Sequence, residues 1–160
     1  MNDAISDVMD ALAGLTPGSP VFEVRRQRPD VVRYTQASDE AIFAPKDDGG
    51  LTRLERLDAA LRIATLLNDE TLASHYRDLF AEEAGRNPQD GDGNPSRRAL
   101  IQAHVDRVTR DPDSATKADI DGLKAGGLSP HEIVALSQVI AYVNFQSRVL
   151  AGLRMLRDAP

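Results

Sequence analysis

The residues best suited to chemistry in this chain are its three histidines, and His75 has the most suitable neighbours. Asp78 follows His75 by three residues and Glu70 precedes it by five, so a helix would bring a carboxylate beside the imidazole. A carboxylate that orients a histidine is a common form of general base. The pattern predicts His75, Glu70 and Asp78 as catalytic residues. The alternative interpretation is a partly exposed surface histidine beside charged neighbours.

The residue types that the sequence lacks narrow this chemistry. The chain has no cysteine, which excludes disulfides, thiolate metal sites and thiol nucleophiles. His104 and His131 lie on other predicted helices than His75, and no two histidines have the i, i+4 spacing of a metal-binding helix, so we expect no metal. The sequence has no glycine-rich phosphate loop, nucleotide fingerprint or serine nucleophile motif, and no cofactor is expected.

Charge and composition exclude further classes of function. The formal net charge is −6, whereas nucleic-acid binders present a basic surface. Arg25, Arg26 and Arg28 form the one basic cluster, which we interpret as a solvated helix face, so no nucleic-acid partner is expected. The N-terminal residues are acidic and contain no long apolar run, which predicts a cytoplasmic protein with no signal peptide and no membrane partner.

Helical periodicity runs through most of the chain and predicts the all-α class, as a single-domain bundle of about six or seven helices. Aromatic residues are only 4%, so the core must be aliphatic. In this prediction residues 1–160 form one domain, with 1–28 as an N-terminal extension whose segment 21–28 is ambiguous, and 85–95 as a mobile loop. Predicted helices run over 3–15, from 29 until Pro45, after the caps Thr52 and Thr116, from Asp69 through Phe80, over 96–110 and over 130–156.

Two predicted helix starts carry strong local signals. Thr52 with Glu55, and Ser129 with Glu132, have the spacing of a capping box. The helix after Ser129 has apolar residues on two faces, which predicts burial on more than one side and a central place in the bundle. Its polar side chains need hydrogen-bond partners at helix ends, across an oligomer interface or in a ligand pocket. These side chains are Gln138, Asn144 and Arg148.

Three segments together resemble one protein family. The segments are AGGLSPHEIVALSQVIAYVNFQSRVLAGL, LTRLERLDAALRIATLLND and RYTQASDEAIFAP. They resemble helices of the alkylhydroperoxidase D-like, or carboxymuconolactone decarboxylase-like, superfamily. Asn144, Phe145 and Arg148 match an Asn-aromatic-x-x-Arg pattern of its peroxidase-related branch. The resemblance covers roughly residues 29–76 and 99–156, and it implies the fold of that superfamily and a homo-oligomer.

The chain departs from this family at every active-site position. The redox members carry Cys-x-x-Cys at the start of the second hairpin helix, a histidine four residues later and a glutamate one helix earlier. In an ungapped register from Thr52, Asp69 and Leu72 stand at the cysteines, Leu57 at the glutamate and Tyr76 at the histidine. Peroxide reduction by this route needs a reactive thiolate and a resolving cysteine, so the sequence excludes it for this chain alone.

Two hypotheses of function remain. The first is a cysteine-free, redox-inactive member of the superfamily that acts as an oligomeric structural or partner-binding protein. Its partners would be further copies of itself or an intact redox-active relative. The second is a thiol-independent, decarboxylase-like acid–base enzyme that acts on a small organic acid or lactone, with His75 as base and Glu70 or Asp78 as its orienting group. The first is favoured, because each polar candidate also has a structural explanation.

Overall fold

The computed structural model describes residues 7–86 and 94–159, which fold into eight α-helices and one short 3-10 turn and contain no strand. The predicted all-α class is confirmed, and the additional helix, α2, lies in the segment whose structure the sequence left ambiguous. The elements are α1 Val8–Ala13, α2 Pro20–Arg26, α3 Pro29–Phe43, α4 Arg53–Leu66, α5 Glu70–Arg86, α6 Pro95–Arg110, the turn Pro112–Ser114, α7 Lys117–Ala125 and α8 Pro130–Arg157.

Helix α8 runs through the centre of the core, as predicted. Its residues Leu136, Val139, Val143 and Leu150 are fully buried, and the helix packs against α1 to α4, α6 and α7. Helices α4 and α5 form a helical hairpin beside it. By length and composition α8 is the one helix of the described chain that could cross a bilayer. However, half of its most apolar window is buried inside the fold, and buried core helices pass the same test.

Both predicted capping boxes are present. Thr52 Oγ1 accepts from the Glu55 backbone N–H at 3.2 Å, and the Glu55 carboxylate accepts from the Thr52 N–H at 3.0 Å. Ser129 and Glu132 form the same two bonds at 3.2 and 2.7 Å. Arg97 of α6 connects the two boxes, because its guanidinium donates to Glu55 at 2.5 Å and to Glu132 at 2.7 Å. One cation therefore holds the starts of α4 and α8 together.

The helices of the predicted N-terminal extension pack into the core, where Phe22 of α2 is buried. Arg25 donates to both carboxylate oxygens of Asp7 at 2.9 and 2.8 Å. Arg25 and Arg26 also both bind the carboxylate of Asp10 in α1. The interpretation of the basic cluster as a solvated face is thus wrong for Arg25 and Arg26, because two buried carboxylates pair with them.

The segment predicted as a loop, 85–95, is helical at both of its ends. Helix α5 continues to Arg86, and α6 begins directly after its cap, Asn94. The Asn94 side chain accepts from the backbone N–H of Ser96 at 3.0 Å. The remainder of the predicted loop, residues 87–93, lies outside the described residues.

Candidate functional site

The three residues predicted for acid–base chemistry all lie on α5, but the structure brings only two of them together. His75 is half-buried, and the exposed Asp78 is near enough to favour the protonated imidazole. Glu70 is exposed at the start of the helix and binds Arg77 at 3.4 Å. The role predicted for the three residues therefore stays a prediction, with Glu70 engaged elsewhere.

His75 has one property of a general base, a neutral imidazole, but within the described residues it lacks another, a hydrogen-bonded group that orients the ring. Burial lowers the pKa of His75, and the Asp78 carboxylate offsets this shift in part. The imidazole is therefore neutral near pH 7, which is the form that accepts a proton. Within the described part of the chain, no group hydrogen-bonds to the ring, which packs edge-on against Tyr76 at 5.1 Å between centroids. Packing alone thus sets the orientation of His75.

The two positions where the resemblance places cysteines are occupied by residues with structural contacts. Asp69 is the N-cap of α5, since its Oδ1 accepts from the backbone N–H of Leu72 at 3.1 Å. The same carboxylate binds Arg154 of α8, whose Nη1 lies 3.1 Å from both oxygens. Leu72 is fully buried in the hydrophobic core. Both positions therefore hold residues that stabilise the fold.

The positions where the resemblance places a glutamate and a histidine are also part of the core. Leu57 and Tyr76 are fully buried, and the Tyr76 ring lies 5.1 Å from that of Phe43 between centroids. The Tyr76 hydroxyl donates to Oε1 of Gln146, a fully buried residue of α8. Where the resemblance places reactive groups, this chain therefore has apolar and hydrogen-bonded side chains.

A buried polar network connects α3, α5 and α8 at this place. Tyr76 donates to the Gln146 side chain, and the Gln146 amide in turn lies 3.5 Å from Asp39 Oδ1. The Tyr142 hydroxyl is 3.2 Å from the same Asp39 oxygen and 3.4 Å from the backbone carbonyl of Thr35. The Tyr142 phenol has one proton to donate, and the Asp39 carboxylate, which is the closer and the charged acceptor, receives it. Each buried polar group of the network therefore has a partner.

The network holds an acidic residue whose hydrogen-bond donors are all neutral. Burial raises the pKa of Asp39, while the bond from Tyr142 and the positive charge of Arg53 oppose that shift. Burial likewise raises the pKa of Tyr76 and of Tyr142, so both stay neutral phenols. The Asp39 carboxyl is held by neutral donors only.

Sequence reasoning missed Asp39 and Gln146. The available signal is periodicity, since Asp39 lies one helical turn from each of Thr35 and Phe43, which are both buried. Gln146 likewise follows Tyr142 by one turn in α8. Polar residues that continue an apolar face were the cue for a buried network.

An open groove of about 460 Å³ lies between α3 and α8. Tyr142 is one of its lining residues, and the hydroxyl of the same side chain belongs to the buried network. Of the polar α8 residues, Gln138 lines the groove, whereas Asn144 donates to the Ile140 carbonyl at 2.9 Å and stays on its own helix. His75 is not among the lining residues, which are Ser38, Ala41, Ile42, Gln138, Ala141, Tyr142 and Phe145.

No group of three or more histidine, aspartate or glutamate side chains in the described ranges is arranged to hold a metal ion. His104 is buried on α6, where burial lowers its pKa, and His131 is exposed in the first turn of α8. The histidines therefore take part in packing and surface contacts in this fold.

Comparison with solved structures identifies the class of fold. An uncharacterized peroxidase-related protein from Silicibacter sp. TM1040 superposes with a TM-score of 0.70 at 16% identity, over 91% of this chain and 78% of that one. The alkylhydroperoxidase AhpD core of an uncharacterized peroxidase-related protein from Ralstonia eutropha JMP134 superposes with a TM-score of 0.58 at 20% identity, over 94% and 86%. No family model and no curated protein matches the sequence. The chain has the AhpD-like fold of peroxidase-related proteins, and it has this fold without a cysteine.

Proposed function

We propose that this chain is a redox-inactive form of the AhpD-like fold that works as an oligomeric structural or partner-binding protein. One observation carries the proposal, namely that both positions expected for thiols are used by the fold itself. Asp69 caps α5 and binds Arg154, while Leu72 belongs to the core. A helix cap and a core leucine stabilise the fold, and neither side chain can form a reactive thiolate.

The residues around these positions support the same conclusion. Leu57, Leu72 and Tyr76 are fully buried and fill the region that an active site would need. The neutral state of His75 agrees with an acid–base role, although the groove between α3 and α8 does not include this residue. The assignment of His75, Glu70 and Asp78 as catalytic residues therefore stays a prediction that mutagenesis can test.

A partner-binding role agrees with the surface of the molecule. Several large apolar side chains of α3 and α8 are exposed, and apolar patches beyond a few hundred Å² generally mark interaction sites. We propose further copies of this chain as the partner, with an intact redox-active relative as the second candidate. Both would contact the protein through a surface and not through a catalytic centre.

A peroxidase assay tests the redox part of the proposal. Purified protein with an organic hydroperoxide and a dithiol reductant should consume peroxide no faster than the same amount of heat-unfolded protein, because the chain has no thiol to oxidise. Turnover that is lost on unfolding would overturn the proposal, since it would require a reducing centre other than cysteine.

A further inference from the structure

The groove between α3 and α8 has an aromatic and uncharged lining. Tyr142 and Phe145 both line it, and their ring centroids lie 6.1 Å apart with the ring planes tilted by 35°. Phe145 is 46% exposed, so its ring is open to a ligand from solvent. No cationic side chain among the described residues stacks on either ring. The faces of aromatic rings are electron-rich, so the groove offers an unoccupied place for a cation.

A negative charge lies next to the groove on its buried side. Asp39 accepts from the hydroxyl of Tyr142 at 3.2 Å, and this bond polarises the phenol so that its ring becomes richer in electrons. Arg53 is a cation whose charge acts on Asp39, but it lies 3.1 Å from Glu83, which offsets it. Glu40, the next residue of α3, adds a further negative charge. The electrostatic potential at the groove is therefore negative, which favours a cationic ligand.

Two polar side chains give the groove hydrogen-bond acceptors. The Ser38 hydroxyl donates its proton to the Tyr34 carbonyl at 2.8 Å, so its oxygen is left as an acceptor. Gln138 is exposed and makes no side-chain hydrogen bond within the part of the chain that the structure describes. These two groups can bind one hydroxyl of a ligand. A primary ammonium has three donors to satisfy, so two acceptors are too few for it.

The open shape and the apolar lining favour an organic cation over a metal ion. The groove has a volume of about 460 Å³, which is within the range of small-molecule sites. A metal ion needs several oxygen or nitrogen ligands, and the described residues contain no group of three or more acidic or histidine side chains placed to hold one. A quaternary ammonium group carries its charge beneath methyl groups, which can contact Ala41 and Ile42 of the lining.

We propose that the groove between α3 and α8 binds a small, free quaternary ammonium compound. Its cationic head lies beside Tyr142 and Phe145, and its polar end reaches Gln138. The inference goes beyond the proposed function, because it assigns a ligand of defined chemistry to a surface for which only macromolecular partners were proposed. It depends on aromatic rings and on the charge of Asp39, and each of these can be changed separately.

A pair of ligands with the same shape and different charge tests the need for a cation. Choline and 3,3-dimethylbutan-1-ol differ only in that a carbon atom replaces the charged nitrogen. In an NMR titration of the wild-type protein, choline should shift the backbone amide signals of Ser38, Ala41, Gln138 and Ala141 with a Kd on the order of millimolar. The neutral alcohol should bind about 3-fold more weakly or worse. Sodium chloride at matched ionic strength should leave these signals in place.

Three substitutions test the groups that would hold the cation. Phe145→Leu keeps an apolar side chain but removes a ring, so it should weaken choline about 2–5-fold and leave the neutral alcohol unchanged. Asp39→Asn removes the charge and should likewise weaken choline only. Tyr34→Leu is the control, because Tyr34 is an aromatic residue of α3 that is 62% exposed but does not line the groove. This variant should bind choline as wild type does, and the dispersion of each NMR spectrum checks that the variants are folded.

Several outcomes would overturn the inference. Equal affinity for choline and the neutral alcohol would mean that the groove selects apolar groups without regard to charge. Unchanged choline binding in both Phe145→Leu and Asp39→Asn would remove the structural basis of the site. Binding to phosphatidylcholine vesicles without binding to free choline would show a lipid surface as the occupant. None of these outcomes bears on peroxide turnover, so the redox part of the proposed function fails or stands by its own assay.

Discussion

Replacing Asp69 with alanine removes the cap of α5 and one interhelical ion pair in a single step. Loss of a side-chain N-cap costs about 1 kcal/mol. The Asp69 side chain is nearly buried and that of Arg154 is about a quarter exposed, so the pair should contribute about 1 kcal/mol, near the upper end for surface pairs. We therefore expect Asp69→Ala to lower the free energy of unfolding by about 2 kcal/mol and the Tm by about 4–8 °C.

Two further variants separate the cap from the ion pair. Asn is as good a cap as Asp but carries no charge, so Asp69→Asn should lose only about 1 kcal/mol. Arg154→Ala should lose a similar amount. Combined with Asp69→Ala it should cost less than the sum of the single changes, because both remove the same interaction. Urea denaturation followed by circular dichroism compares these four variants with wild type under identical conditions.

Two outcomes would contradict the role of Asp69 as a cap and ion-pair partner. An Asp69→Ala protein within about 0.5 kcal/mol of wild type would mean that Asp69 does not hold the start of α5. Equal losses in Asp69→Asn and Asp69→Ala would remove the cap from the explanation. In the first case the structural account of the replaced thiol position, which carries the proposed function, would fail with it.

Three further substitutions probe other ionisable groups. The urea midpoint of Asp39→Asn, relative to that of wild type, should be higher near pH 7 than near pH 4. Burial raises the pKa of Asp39, so the native protein loses stability as pH rises through that raised value. His75→Gln should reduce the loss of stability that wild type shows below about pH 6.5. The pKa of His75 is lowered in the fold, so the unfolded chain takes up the proton first as the pH falls. An NMR titration should place the native pKa of His75 below that of an unfolded control. Arg97→Gln should cost about 2 kcal/mol in thermal melts, since two cap glutamates lose their cation, whereas Arg110→Gln at the exposed end of the same helix should have little effect.

Local signals in the sequence predicted the helices and their starts well. The capping boxes at Thr52 and Ser129 depend on residues three positions apart, so the sequence contains all the information that they need. Helix α2 is the exception, because its 7 residues are too few for a clear periodic pattern and Ser19 forms no side-chain cap bond. Its position is held by contacts with α1 and the core, where Arg25 pairs with two carboxylates. Such a helix becomes evident only when its neighbours are in place.

The contacts between helices could not be predicted in the same way. Arg56 of α4 is a charged residue, yet it is buried and donates to the backbone carbonyls of Leu51, Ile42 and Asp48 at 2.9, 3.1 and 2.8 Å. Arg56 thus supplies hydrogen-bond donors to the backbone carbonyls of the turn between α3 and α4. Periodicity in the sequence cannot predict where the carbonyls of a folded loop lie. The network around Asp39 has the same origin, because it exists only where α3 crosses α8.

The guanidinium of Arg97 has a consequence for the dynamics of the fold. It lies between the carboxylates that close the first turns of α4 and α8, which are far apart in the chain. If either helix frays at its start, its carboxylate leaves Arg97 and the remaining pair loses part of its attraction. The two ends should therefore open together, as one cooperative unit. Hydrogen exchange at the Glu55 and Glu132 amides should then show matching protection, although the two residues belong to different helices.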